Sequence, residues 1–228
     1  MKHGKKFKES VKKYVPTNTY DLNEALTHVK LMAYAKFDET IDLSVKLNLK
    51  KSQTVRDTVV LPHQFRGEKK VLVFCKPEKE KEAQEAGAAF VGADDLIEKV
   101  KGGWTDFDIA VATPDMMKDV GKLGMVLGRR GLMPNPKTGT VTFDLKSTLA
   151  ELKKGRVEFR ADKSGVLHLA VGKVSMEPSQ VAENITAVMT EVKRKRPVDV
   201  KGEFIQTVSV SSTMGPGVWV DIKDQDKE

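Results

Sequence analysis

Ile41-Asp-Leu-Ser-Val-Lys-Leu-Asn-Leu-Lys50 alternates without a break: Ile41, Leu43, Val45, Leu47 and Leu49 are apolar and every residue between them is polar. Successive side chains of a strand point to opposite faces, so this run predicts a strand with one dry and one wet face. Such strands belong to antiparallel sheets, because parallel sheets are covered on both sides. Upstream, Leu22, Ala25, Leu26, Val29 and Ala33 keep the spacing of one helical face, with Asp21 placed to cap the helix and Glu24 completing a pattern like a capping box. That helix is expected to cover one side of the sheet.

The pattern changes at about residue 67 and reverts at about residue 155. Between them, Val71-Leu-Val-Phe-Cys75 and Ile109-Ala-Val-Ala112 are apolar on both faces, and charged helical stretches such as residues 78 to 86 lie between such runs. This is βα alternation around a parallel sheet. Afterwards alternation returns in Arg156-Val-Glu-Phe-Arg160 and Val166-Leu-His-Leu-Ala-Val171. A helix follows, with Pro178 in its first turn and Val181, Ile185, Val188, Met189 and Val192 on one side. The last strands are expected over residues 204 to 211 and 218 to 222. Each flank alone is short for a stable core. The two therefore join into one discontinuous α+β domain, residues 1–66 and 156–228, with a mainly antiparallel sheet and packed helices. Residues 67–155 form an inserted α/β domain, and the two crossings, near residues 62 to 67 and 154 to 155, are expected to act as a hinge.

The charge is basic. The 228 residues hold 39 Lys and Arg against 32 Asp and Glu, a net +7, which suits a nucleic-acid binder or a merely well-solvated surface. Location decides between them. From residue 121 to 142 there is no carboxylate, while Lys122, Arg129, Arg130 and Lys137 sit among five glycines and the turn Pro134-Asn-Pro136. The segment looks too broken for a regular element and too apolar for a linker, so it reads as an ordered loop that presents cations to phosphate.

Enzyme chemistry is not expected. Neither Gly-x-Gly-x-x-Gly nor Gly-x-x-x-x-Gly-Lys-Ser/Thr occurs, and there is no Gly-x-Ser-x-Gly. His3, His28, His63 and His168 form no metal-ligand pair, and the single cysteine, Cys75, reads as a buried strand residue. No catalytic residue, metal or cofactor is assigned. No apolar run approaches a membrane span, and the first residues lack the apolar core of a secretory signal, so a cytoplasmic protein with no membrane partner is expected.

Two segments of the discontinuous domain stand out: Ala35-Lys-Phe-Asp-Glu-Thr40, which joins a helix to the alternating strand, and Ser211-Ser-Thr-Met-Gly-Pro-Gly217, which links the last two strands. Together they offer a cation, an aromatic ring, hydroxyls and a methionine at a turn tip. Loops of that kind suit RNA, which is read by shape, 2′-hydroxyl contacts and stacking. The plainer reading, a packed Phe37 and an ordinary hairpin turn, stays open on local sequence alone.

These segments, with Phe107-Asp-Ile-Ala-Val-Ala-Thr-Pro-Asp115, the Gly-Leu-Met-Pro-Asn-Pro-Lys stretch ending at Lys137, and Gly155-Arg-Val-Glu-Phe-Arg160, closely resemble the bacterial stalk protein of the large ribosomal subunit, the family numbered first among large-subunit proteins. Five separated motifs agree in order over nearly the whole chain. The resemblance implies a discontinuous first domain with a Rossmann-like α/β domain inserted in it. It implies binding to large-subunit rRNA, a mobile stalk near the exit site of the large subunit, help in releasing deacylated exit-site tRNA, and repression of the protein's own operon mRNA. It implies RNA contacts at Lys36, Phe37 and Thr40, at Thr213, Met214 and Gly215, and at Thr207 on the last long strand.

The physical roles expected are phosphate pairing for Lys36, packing on ribose or base for Phe37 and Met214, and hydroxyl contacts for Thr40, Thr207 and Thr213. Gly215 would allow close backbone approach. One departure is Gly128-Arg-Arg-Gly131 where the family usually has Gly-Pro-Arg-Gly, which replaces a rigid residue by a cation. The run Lys193-Arg-Lys-Arg196 reads as cations at a helix C-terminus. Lys2, Lys5, Lys6, Lys8, Lys12 and Lys13 read as a mobile or partly helical arm. Two other classes are weaker. A clamp for a small anionic ligand has only the loop at 121 to 140 to offer, and sequence-specific DNA binding lacks a recognition helix.

Overall fold

A computed structural model describes residues 4–50, 53–67, 69–197, 200 and 202–221, with Lys137 and Lys153 described by their backbone alone. The chain forms two compact units, Met1–Phe65 with Val157–Glu228, and Arg66–Arg156.

The first unit begins with α1 (Lys5–Val11), β1 (Thr19–Tyr20), α2 (Leu22–Met32), β2 (Thr40–Leu47) and β3 (Arg56–Val60). The second holds β4 (Val71–Phe74), α3 (Pro77–Glu85), β5 (Phe90–Gly92), α4 (Asp94–Lys101), β6 (Ile109–Ala112), the short helices α5 (Met117–Val120) and α6 (Gly124–Leu127), and α7 (Leu145–Lys153). The chain then completes the first unit with β7 (Arg156–Arg160), β8 (Val166–Lys173), α8 (Pro178–Arg194), β9 (Ile205–Ser212) and β10 (Gly217–Val220).

The main sheet runs β1-β10-β9-β2-β8, antiparallel throughout except for the parallel β1/β10 pair, and β3 pairs with β7 separately. The alternation of β2 decides its packing. Leu43 sits opposite Leu169 and Val210, and Val45 opposite Leu167 and Val208, all buried on the dry face. Ser44 sits opposite His168 and Ser209, and Lys46 opposite Thr207, on the other face. A slip of one residue would exchange the two sets, so the register is fixed by burial. Leu22, Ala25, Leu26 and Val29 of α2 and Val181, Ile185, Val188 and Val192 of α8 complete the same core. Asp21 caps α2 by accepting from the Asn23 N–H at 3.4 Å.

One polar residue lies inside that core. Asn184 of α8 is fully buried, donates to the carbonyls of His63 (2.9 Å) and Val171 (2.8 Å), and accepts from the His63 N–H (2.9 Å). It fastens the segment after β3 to α8.

In the second unit a parallel sheet runs β5-β4-β6, and Ala112 bridges onward to Val141. Strand β4 is buried on both faces, as its unbroken apolar run requires. Leu72 and Phe74 face a cluster with Leu96, Val100, Val120, Leu123 and Leu127, while Val71, Val73 and Cys75 face Ala83, Leu145 and Leu149.

The segment after Val120 departs from the expected loop. It is a string of short turns, with Gly121–Leu123 and Pro136–Thr138 as 3-10 helix and α6 between them. Val120, Leu123 and Leu127 recur at helical spacing and are buried, and that apolar face outweighs the glycines beside it. The N-terminal arm takes the partly helical form of the two expected. Helix α1 and the residues after it are anchored onto the unit: buried Ser10 within the helix donates to the Met32 carbonyl (3.0 Å), Lys13 to that of Leu31 (3.0 Å), and the Tyr14 hydroxyl to that of Gly217 (2.9 Å). Lys13 thereby meets the carbonyls at the C-terminus of α2, where a cation is favoured. Lys2 lies outside the described residues, as does Ile222 of the strand expected over 218 to 222.

Candidate nucleic-acid interface

Two connections of the first unit lie side by side: residues 33 to 39, between α2 and β2, and residues 213 to 216, between β9 and β10. They meet because β2 and β9 are antiparallel neighbours, with Ile41 opposite Ser212.

Glu39, only 1% exposed, locks the two together. One carboxylate oxygen accepts from the backbone N–H groups of Tyr34 (3.0 Å) and Ala35 (2.8 Å), and the other from the N–H of Met214 (3.1 Å). The Tyr34 hydroxyl donates to the Met214 carbonyl (2.9 Å). Thr213 closes the junction: its hydroxyl accepts from the Thr40 N–H (3.0 Å) and donates to the Thr40 carbonyl (3.2 Å). Burial pushes the Glu39 carboxyl up, yet the net shift is downward. The Ser212 hydroxyl, near the carboxylate but outside hydrogen-bonding geometry, and the backbone N–H groups of Ala35, Met214 and Tyr34 outweigh the burial.

A second carboxylate fixes the other side of the first loop. Asp38 accepts from the N–H (3.1 Å) and hydroxyl (2.8 Å) of Ser175 and lies 3.6 Å from the Lys173 ammonium. The Ser175 hydroxyl, chiefly, holds this carboxyl below the ordinary aspartate value.

With both ends pinned, the tips face outward. Lys36 is exposed, Phe37 is 56% exposed and Met214 is 48% exposed. Two large apolar side chains left half open to water beside a cation, on loops ordered by the buried Glu39 and the exposed Asp38 carboxylates, form a ready stacking surface. The plainer reading of a packed Phe37 does not hold.

The structure brings Lys36, Phe37, Thr40, Thr213, Met214 and Gly215 together, with two refinements. The Thr213 hydroxyl is already used as donor and acceptor within the chain, so its first task is to strap the loops. Thr207 is exposed but six residues down β9, about 20 Å from the cluster at strand rise. Gly215 has a close-approach reason of its own: a Cβ there would overlap the buried Ser212 hydroxyl, which has no hydrogen-bond partner. Gly215→Ala is expected to cost about 1 kcal/mol or more by overpacking, and Ser212→Ala in the same chain to remove that cost. Urea denaturation of the two single variants and the double variant measures it.

Glu39, Asp38 and Tyr34 were not singled out from sequence. The signal available was the pair Asp38-Glu39 inside an otherwise cation-bearing loop, where free carboxylates would repel phosphate unless turned inward.

In the second unit, the Lys122 ammonium meets Asp119 at 2.8 Å. Their hydrogen bond holds the Asp119 carboxyl down and the Lys122 ammonium up. The Arg130 guanidinium donates to the Thr105 hydroxyl, Arg129 is exposed, and the Lys137 side chain lies outside the described residues. Asp119 lies just before the carboxylate-free stretch and neutralises one of its cations. Burial pushes the Cys75 thiol up to about 11, far from a reactive thiolate at neutral pH. Among the described residues no three His, Cys, Asp or Glu side chains gather as a metal site, and no helix is long and apolar enough to cross a membrane.

A basic α/β chain with pinned loops that expose an aromatic ring and a methionine has the make-up suited to binding RNA. Residues 2–216 match the family described as Ribosomal protein L1p/L10e, and the chain belongs to that family. It is 66% identical, over 98% of its length and 99% of the relative's, to the large ribosomal subunit protein uL1 of Treponema denticola. It is 58% identical to the proteins of that name from Treponema pallidum, over 99% of this chain and 100% of the relative, and from Borrelia hermsii, over 96% and 98%.

Proposed function

We infer that this chain is a structural, non-enzymatic component of the large ribosomal subunit on the cytoplasmic ribosome, and that it binds large-subunit rRNA through the two interlocked loops of its first unit. The observation that carries the reading is the outward exposure of Phe37 and Met214 on loops held by the buried Glu39 carboxylate. Stacking and ribose packing would come from those two side chains, phosphate pairing from Lys36, and close backbone approach at Gly215. The Thr40 and Thr207 hydroxyls would serve sugar or phosphate. Membership of the family and the likeness of its motifs support three finer roles: formation of the mobile stalk, release of exit-site tRNA, and repression through an rRNA-like site in the operon mRNA.

The test compares affinity for an rRNA stalk fragment with that for a scrambled RNA of equal length at several salt concentrations. The parent should prefer the stalk fragment, and Phe37→Ala with Met214→Ala should remove most of that preference while keeping the salt slope, since neither residue is charged. Equal binding of both RNAs by the parent would sink the reading.

Lys122, Arg129, Arg130 and Lys137 would add secondary phosphate contacts from the second unit. Arg129→Pro is expected to reduce the slope of log affinity against log salt by about one, the signature of one lost phosphate contact. An unchanged slope would remove Arg129 from the interface.

A further inference from the structure

Away from the loops, the other end of β9 and β10 borders a groove of about 810 Å³. Its walls include Trp219, Thr207, Gln206, Lys193 and Arg196. Register explains the grouping. Trp219 pairs with Ser209 on one side and Thr19 on the other, so its ring lies on the wet face of the sheet, diagonal to Thr207. It is 43% exposed, a large aromatic side chain on a face that also carries Asp42, Ser44, Lys46, His168, Thr207 and Ser209. Lys193 and Arg196 come from the C-terminal end of α8 and the turn after it. The Arg196 guanidinium is held by the carbonyls of Val200 (3.0 Å) and Gly202 (2.8 Å) through one nitrogen, which sets the rest of its fork.

We propose that this groove is a second RNA subsite that takes one unpaired nucleotide, with the base stacked on Trp219 and the phosphate between Lys193 and Arg196. An aromatic platform flanked by cations is the combination that binds single-stranded nucleic acid, because every base has a π-face and every linkage a negative charge. The carboxylates Glu203 and Asp221 also line the groove and can accept from amino groups of a base, which a bare phosphate lacks. The subsite rests on the rRNA-binding reading for its continuity. Thr207 lies in the groove about 20 Å from the Phe37 and Met214 loops at strand rise, and the open sheet face spans the distance between them.

The chain has two tryptophans, and Trp104 packs against Phe90 and Phe107 in the other unit, so Trp104→Phe leaves Trp219 as sole reporter. In that background, titration with the stalk fragment carrying a short unpaired flank should quench Trp219 emission with the midpoint of binding measured on the RNA. Trp219→Ala should weaken binding by about ten-fold with the salt slope kept, Trp219→Phe should recover most of it, and Lys193→Gln should lower the slope by about one. If the fragment binds in a manner sensitive to Phe37 and Met214 while Trp219 emission and the affinity of Trp219→Ala stay at parent values, the subsite is wrong and the loop reading stands. If the fragment binds no better than scrambled RNA, the loop reading falls, and titration with an unstructured oligocytidine, whose bases carry an amino group, decides the groove: quenching keeps it, constant emission overturns it. Truncation after Asp221 covers the remaining occupant. A change in Trp219 emission without RNA would assign the groove to the chain's own last seven residues and also overturn the proposal.

Discussion

Glu39→Gln is expected to destabilise the first unit by about 2–3 kcal/mol and to weaken rRNA binding at least ten-fold, although the side chain is almost the same size and never faces solvent. The carboxylate takes three backbone N–H groups, two from the first loop and one from Met214. An amide oxygen can replace the acceptor for Tyr34 and Ala35, but the amide nitrogen then points a donor at the Met214 N–H. The second loop loses its anchor, and Phe37 and Met214 no longer share one surface. Glu39→Ala leaves all three N–H groups without a carboxylate and should cost more, about 3–5 kcal/mol. The pH dependence has a definite sign. Because the folded-state carboxyl is held below its ordinary value of 4.5, its stabilisation is complete above that value and is lost as pH falls through the lower folded-state value. Urea denaturation should therefore show the gap between parent and Glu39→Gln widest at neutral pH and closing in acid below 4.5. A gap independent of pH would show that Glu39 is not bound as the carboxylate.

Asn184→Ala is the second large effect, expected at about 3–5 kcal/mol on the first unit with little change in the second. The side chain is fully buried and makes three hydrogen bonds, so its removal orphans the His63 N–H and the carbonyls of His63 and Val171 and leaves a cavity. Asn184→Asp separates polarity from volume. A carboxylate there faces two carbonyl oxygens it cannot donate to, so the variant should be about as unstable as the alanine at neutral pH and recover partly in acid, where a protonated carboxyl can donate again. Thermal unfolding followed by Trp219 emission in the Trp104→Phe background reads the first unit alone. An Asn184→Ala midpoint equal to the parent's would refute the role assigned to the three bonds.

Much of the framework was legible because burial leaves periodic marks. The alternation in β2 named its dry face residue by residue, and the unbroken run of β4 named a strand covered on both sides. The segment after Val120 was not legible in the same way. Its glycines suggested a loop, while Val120, Leu123 and Leu127 kept a helical face that mattered more once β4 offered a surface to cover. Strand β3 and the two-residue β1 carried too little pattern to be seen before their partners were known. At the interface, the resemblance placed Lys36, Phe37 and Met214, and the geometry explains why their loops are ordered. What local sequence could not supply was the partner of each polar group. Glu39 reads as one more surface carboxylate until β2 and β9 pair and bring the Met214 N–H to it, about 175 residues away along the chain. Thr213 reads as a free hydroxyl until Thr40 is set opposite it. Asn184 reads as an interruption in the apolar face of α8, and only the path of residues 61 to 65 shows what it fastens.

Whether RNA lies on the loops of the first unit is decided by ultraviolet cross-linking of the full chain to large-subunit rRNA, followed by mass mapping of the modified peptides. Adducts are expected to concentrate at Phe37 and Met214, with weaker ones near Trp219, and to be lost in Glu39→Gln at the same RNA concentration. Adducts confined to the peptides around Arg129 and Lys137, with Phe37 and Met214 unmodified, would contradict that placement and make the second unit the RNA-binding part of the molecule.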